Sequence, residues 1–207
     1  MFKKIFGQFF SILFIPLLLP LYGTLYVIFS DPFEYPDPRQ NMLMILRVVI
    51  LTFVFPSITI LLLAALKFIK SVEIYDRQER IIPYITAGFF YIWAFFVFYK
   101  EGFYPQITYI LLGSTIAVFL DFLINVLVIK VSMHATGAGG MLATIMLLLP
   151  YAYYNSLPLL IAIIIVAGCI GTARLALSAH TEREVYLGYL TGFFSFMVAS
   201  NFYHLNG

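Results

Sequence analysis

Seven long apolar runs, near residues 7–28, 43–66, 81–99, 105–128, 139–154, 157–175 and 184–203, constrain this chain more than any motif in it. A helix needs roughly 20 residues to cross about 30 Å of hydrocarbon, and most of the runs reach that length. They are continuous and lack the period-two alternation of a barrel wall, so they predict helices rather than strands. A sequence that is 62% hydrophobic and 11% charged would expose too much apolar area as a water-soluble globule. The expected fold class is all-α: a polytopic membrane helical bundle of about six to seven transmembrane helices. It forms a single domain over residues 1–207, with no repeat or low-complexity segment.

Local signals refine this picture. The fifth run is short and is divided from the sixth only by Asn155-Ser156, which predicts a tight helical hairpin. The first run follows Lys3 and Lys4 but is longer than a signal h-region and has no small-x-small cleavage site after Tyr22-Gly23-Thr24. It reads as a membrane helix kinked by Pro16 and Pro20. The Pro-rich stretch from Ser30 to Pro38 suits an extended surface connection. Cys169 is the only cysteine, which excludes an internal disulfide and a cysteine-based metal site.

The net charge of +2, spread over few charged residues, excludes a nucleic-acid partner. Counted on alternate sides of the runs, Lys3, Lys4, Lys67, Lys70, Arg77, Arg80, Lys130, Arg174 and Arg183 fall on one face. Only Arg39 and Lys100 fall on the other, so the amino terminus and the basic loops are expected on the cytoplasmic side.

Titratable groups in so apolar a chain point to function. Three clusters lie between Lys70 and Glu184, each separated from the next by two runs, so all three emerge on one membrane face. The first, from Lys70 to Pro83, offers the guanidinium forks of Arg77 and Arg80 to phosphate oxygens. In the second, which runs from Lys130 through Ser132, His134 and Gly137 to Gly140 where one helix ends and another begins, small residues and the helix start expose backbone N–H groups to an anion, and His134 can deliver a proton. The third places Arg174, His180 and Glu184 at R-x5-H-x3-E spacing. His180 and Glu184 are four apart, so on a helix the carboxylate can hold one ring nitrogen while the other points outward as a nucleophile.

Together these clusters resemble the type 2 phosphatidic acid phosphatase and vanadium haloperoxidase superfamily, whose motifs run K-x6-R-P, P-S-G-H and S-R-x5-H-x3-D. Arg174, His180 and Glu184 stand at the third motif's arginine, histidine and aspartate, with Ala173 in place of its serine. The second motif keeps Ser132 and His134. The first aligns either as Lys70-x6-Arg77 or around Arg80 and Pro83.

The resemblance implies a metal-independent lipid phosphatase that needs no cofactor. Its substrate would be a lipid phosphate of the phosphatidic acid, phosphatidylglycerophosphate or prenyl diphosphate class, with its tails in the bilayer. By the same resemblance His180 forms a phosphohistidine, Glu184 orients it, and His134 serves the leaving group and then water. Arg174, with Lys70, Arg77 or Arg80, and the amides around Ser132 and Gly137 would hold the phosphoryl oxygens.

Other classes draw on fewer residues. A transporter would use Asp121 and Arg47, which lie within runs. A haem or metal protein would place histidines inside the bundle, whereas His134, His180 and His204 fall at or beyond run ends. Gly113-Ser114 has no histidine at matching depth for an intramembrane serine protease. A non-catalytic assembly protein would retain degenerate motifs. The oligomeric state has no signature in the sequence.

Overall fold

The structure, a computed structural model, describes residues 2–69, 76–102 and 104–205. Among these every regular element is helical. The α-helices are α1 (Phe2–Leu13), α2 (Leu19–Ser30), α3 (Pro38–Val49), α4 (Phe55–Ala65), α5 (Ile81–Glu101), α6 (Pro105–Leu127), α7 (Met133–Leu148), α8 (Leu157–Ala176) and α9 (Glu182–Leu205). They make seven segments long and apolar enough to span a membrane, because α1 with α2, and α3 with α4, each form one interrupted span.

Proline sets both interruptions. After Leu13 the chain is extended at Ile15, and Pro16 opens a short 3-10 turn, Pro16–Leu18, that leads into α2. Pro16 and Pro20 both occupy first-turn positions, where a missing N–H costs nothing. Between α3 and α4 one π-helical stretch, Ile50–Val54, carries the chain into the turn that holds Pro56.

The fifth span differs from expectation. Helix α7 starts at Met133, several residues before the apolar run, and ends in a 3-10 turn at Leu149–Tyr151. Gly137, Gly139 and Gly140 therefore all lie within the helix. The hairpin into α8 is closed at Asn155, whose Oδ1 accepts from the Leu157 N–H, and the Tyr153 and Tyr154 N–H groups bond to the Ser30 carbonyl.

The reason for the early start is the contact of α7 with α9. The Ser132 N–H donates to the Glu184 carbonyl at 3.2 Å, so the two helices begin side by side and run parallel. Glycines carry the contact deeper. A Cβ on Gly188 would lie 2.7 Å from the Ser132 oxygen, one on Gly192 1.8 Å from the Thr136 oxygen, and one on Gly139 2.2 Å from the Tyr189 oxygen. Ser132, Thr136 and Gly140 thus face Gly188 and Gly192 at four-residue spacing, the small-residue pattern that lets membrane helices approach to backbone contact.

The remaining core lies between α2, α3, α5, α6, α7 and α9, with Val48, Phe98, Ile107, Ile145 and Ala199 fully enclosed. Helix α8 is peripheral and buries only Ile170, Gly171 and Ala173. Two charges inside the runs have structural partners. Arg47 forks onto Glu101 with Nη1–O distances of 2.8 and 2.9 Å, and buried Asp121 on α6 accepts from the Thr191 hydroxyl of α9 at 2.9 Å. Thr24, Thr52, Thr115 and Thr144 donate to carbonyls one turn back, as hydroxyls must where no water reaches.

Gly192→Ala should lower stability by about 1–3 kcal/mol, because its methyl meets the Thr136 carbonyl at the α7/α9 crossing. Gly168→Ala on α8, where nothing lies within 4 Å, should cost nothing and raise stability by up to about 1 kcal/mol through helix propensity. Thermal unfolding of the two detergent-solubilised variants against the parent tests the difference.

Candidate active site

The site is assembled where α8 ends and α7 and α9 begin. Helix α8 closes with paired turn bonds: the Ser178 N–H donates to the Leu175 carbonyl and the Ala179 N–H to the Arg174 carbonyl. This Schellman closure puts Ser178 in the left-handed region at φ 53°, a position that favours glycine. Helix α9 opens two residues later with a reciprocal cap. The Thr181 hydroxyl accepts from the Glu184 N–H at 3.4 Å, and Glu184 Oε2 accepts from the Thr181 N–H at 3.2 Å. His180 is held between the two caps.

Its ring is fixed by the same carboxylate. His180 Nδ1 lies 2.8 Å from Glu184 Oε2, so Nδ1 is the donor and the neutral ring carries its lone pair on Nε2. The side chain is 2% exposed. Burial, followed by the positive field of Arg80, Lys130 and Arg174 and the neighbouring His134, holds the imidazole pKa well below its usual range. The ring is thus kept neutral, the state a nitrogen nucleophile requires.

Cations converge on this pair from three connections. Lys130, in the loop before α7, donates to the Ala179 carbonyl at 3.0 Å and lies 3.9 Å from Glu184 Oε2. Burial lowers its pKa, Glu184 opposes that, and Arg80 and Arg174 reinforce it. Arg80, in the turn Gln78–Arg80 before α5, donates to the Val131 carbonyl at 3.0 Å. Arg174, in the last turn of α8, donates to the Ser11 hydroxyl at 2.7 Å. His134, in the first turn of α7, donates through Nε2 to the Ser11 carbonyl at 3.1 Å.

The structure therefore brings together Arg80, Ser132, His134, Arg174, His180 and Glu184. Ser132 is fully buried, and its hydroxyl has no hydrogen-bond partner among the described residues. Arg77 lies apart from this group. Its guanidinium bonds to the Asn125 carbonyl and, at 2.8 Å, to that of Val126, while Asn125 Nδ2 donates to the Arg77 carbonyl, so Arg77 closes the end of α6. Gly137 also differs from expectation. It lies past the first turn of α7, where its N–H enters the helical ladder, and its α-carbon faces the Leu19 side chain. Lys70 lies outside the described residues.

Two features of the site escaped the sequence reading, as did the contact made by a third residue. Ser11 gives no signal, since a serine in an apolar run reads as packing. The Thr181-x-x-Glu184 cap is a legible helix-start pattern that the His–Glu spacing overshadowed. Lys130 stands in the second cluster, but nothing in the spacing foretells its approach to Glu184. Among the described residues no three His, Cys, Asp or Glu side chains form a metal-ligand group.

A lowered histidine pKa has a definite sign in stability. The unfolded chain binds a proton at roughly pH 6.5 that the folded ring refuses, so stability is complete above that value and falls as pH drops below it. Thermal unfolding from about pH 7.5 down to about pH 5 should show this loss in the wild type and a shallower one in His180→Ala.

Comparison of the chain with family models, curated proteins and solved structures finds no match, so the reading of this site rests on its own residues.

Proposed function

We propose that the chain is an integral membrane phosphatase acting on lipid phosphates through a phosphohistidine at His180. The observation that carries this reading is the His180–Glu184 pair at 2.8 Å, buried in the field of Arg80, Lys130 and Arg174. Phosphoryl transfer depends chiefly on positioning and on stabilising negative charge, and the cluster supplies both.

In the first step the Nε2 lone pair of His180 attacks phosphorus and the P–O bond to the lipid breaks, its electron pair leaving with the alkoxide oxygen. Glu184, bonded to Nδ1–H, stabilises the positive charge that develops on the ring. His134, protonated to the imidazolium when the phosphate dianion binds beside it, gives its Nε2 proton to the alkoxide and is left neutral, exchanging its hydrogen bond to the Ser11 carbonyl for one to the leaving oxygen. In the second step water attacks phosphorus, His134 takes the water's proton, and the P–N bond breaks to return neutral His180 and inorganic phosphate. Arg174 and Arg80 oppose the equatorial oxygens throughout, and the first amides of α7 and the Ser132 hydroxyl lie at the positive end of that helix.

The assay is phosphate release by the purified full-length protein from phosphatidic acid, phosphatidylglycerophosphate and a prenyl diphosphate. Turnover should persist in EDTA and be blocked by vanadate. His180→Ala should reduce it at least about 10³-fold, and Glu184→Gln by about 10- to 100-fold. Glutamine can still close the reciprocal cap, so the second loss reports the missing charge rather than a frayed helix. Turnover lost in EDTA and restored by magnesium, or near-normal turnover in His180→Ala, would contradict the mechanism.

A further inference from the structure

A cavity of about 220 Å³ lies one helical turn below the cluster, and no step of the reaction uses it. Its wall includes Phe14 at the break after α1, Ala138 and Met141 on α7, and Ile163, Ala167 and Ile170 on α8. Leu19 and Tyr22 of α2 complete the wall, while the end of α1, α7 and α8 also carry polar groups to the surface. Helix α1 runs against α8 with Gly7 on Leu177 and Ser11 on Arg174, and Phe14 follows three residues further in. Ile170 precedes Arg174 by four residues, and Ala138 follows His134 by four, each about 6 Å deeper along its helix.

The juxtaposition is of a guanidinium and an imidazole at the membrane surface with an apolar cavity directly below them. We infer that this cavity is the binding site for the hydrocarbon chain of an anionic single-headed lipid whose phosphate sits at Arg174 and His134. The identity of the headgroup rests on the phosphatase reading; the placement of the chain rests on the cavity. A chain seated there gains packing contacts on several sides, which the flat outer face of α8 cannot supply. It also fixes the depth of the phosphate, since the distance from the cavity to the cluster is set by the pitch of α7 and α8.

The test uses the full-length protein in nanodiscs with a phosphatidic acid that carries a diazirine in its acyl chain. After irradiation, labelled peptides are mapped by mass spectrometry in wild type and in Ala167→Trp, whose indole fills the cavity from α8. The expected result is labelling at Ala138, Met141, Ile163, Ala167 or Ile170 that excess phosphatidic acid competes away and excess phosphatidylcholine does not. In Ala167→Trp this labelling should fall about tenfold, while hydrolysis of a soluble aryl phosphate is unchanged. Labelling confined to the outward-facing Ile161, Ile164 and Ile165, equal competition by phosphatidylcholine, or undiminished labelling in Ala167→Trp would overturn the chain site. Specific cavity labelling in a protein that releases no phosphate would support the chain site and overturn only the phosphatase reading.

Discussion

The backbone contact of α7 with α9 governs the rest of this molecule. Apolar side chains gain little by leaving lipid for protein, so membrane helices hold together through close packing and polar ties. Here Gly139, Gly188 and Gly192 remove every atom that would keep the two backbones apart, and the Ser132 N–H bonds across to the Glu184 carbonyl. Because the helices are parallel and in register, their positive ends coincide. His134 enters on one start, and Glu184, with His180 just ahead of it, on the other. A shift of one residue along the crossing would separate the two histidines.

Around that point the charges are arranged to coexist in a poorly hydrated setting. Glu184 Oε2 accepts from the His180 ring and the Thr181 N–H and lies near the Lys130 ammonium, so one carboxylate ties the connection before α9 to the loop before α7. Arg80 and Lys130 are each anchored on backbone carbonyls of the opposing connection, at Val131 and Ala179. Side chains locked in this way lose little further freedom when an anion arrives, which is what preorganised stabilisation of a phosphoryl group demands. The same cations disfavour protonation of His180, so one electrostatic arrangement suits both the anion binding and the neutral imidazole that the proposed mechanism calls for.

What the sequence disclosed follows the range of the interaction concerned. The seven spans were legible because apolar length is a property of the chain itself, and the His180–Glu184 contact because an i,i+4 spacing fixes it locally. The convergence of the clusters followed from counting crossings. Helix α7 starts several residues ahead of the apolar run, because Gly137 to Gly140 add little hydropathy and owe their place to the glycines of α9, a pairing that spans some fifty residues of sequence. The choice between Arg77 and Arg80 was open, because only the packed end of α6 shows Arg77 committed to the carbonyls of Asn125 and Val126. Ser11 belongs to the same class: a helix break at Pro16 directs α1 along α8, and nothing near Ser11 foretells its contact with Arg174.

The central claim is that Nε2 of His180 becomes bonded to phosphorus. The most direct measurement is to mix purified protein with phosphatidic acid labelled with radioactive phosphate, quench within one turnover, and test the trapped label for stability and position. The account predicts label that is stable to alkali, released by mild acid, located on the peptide containing His180, and absent from His180→Ala. Protein that turns over substrate yet traps no label, or label on a carboxylate or hydroxyl side chain instead, would contradict it.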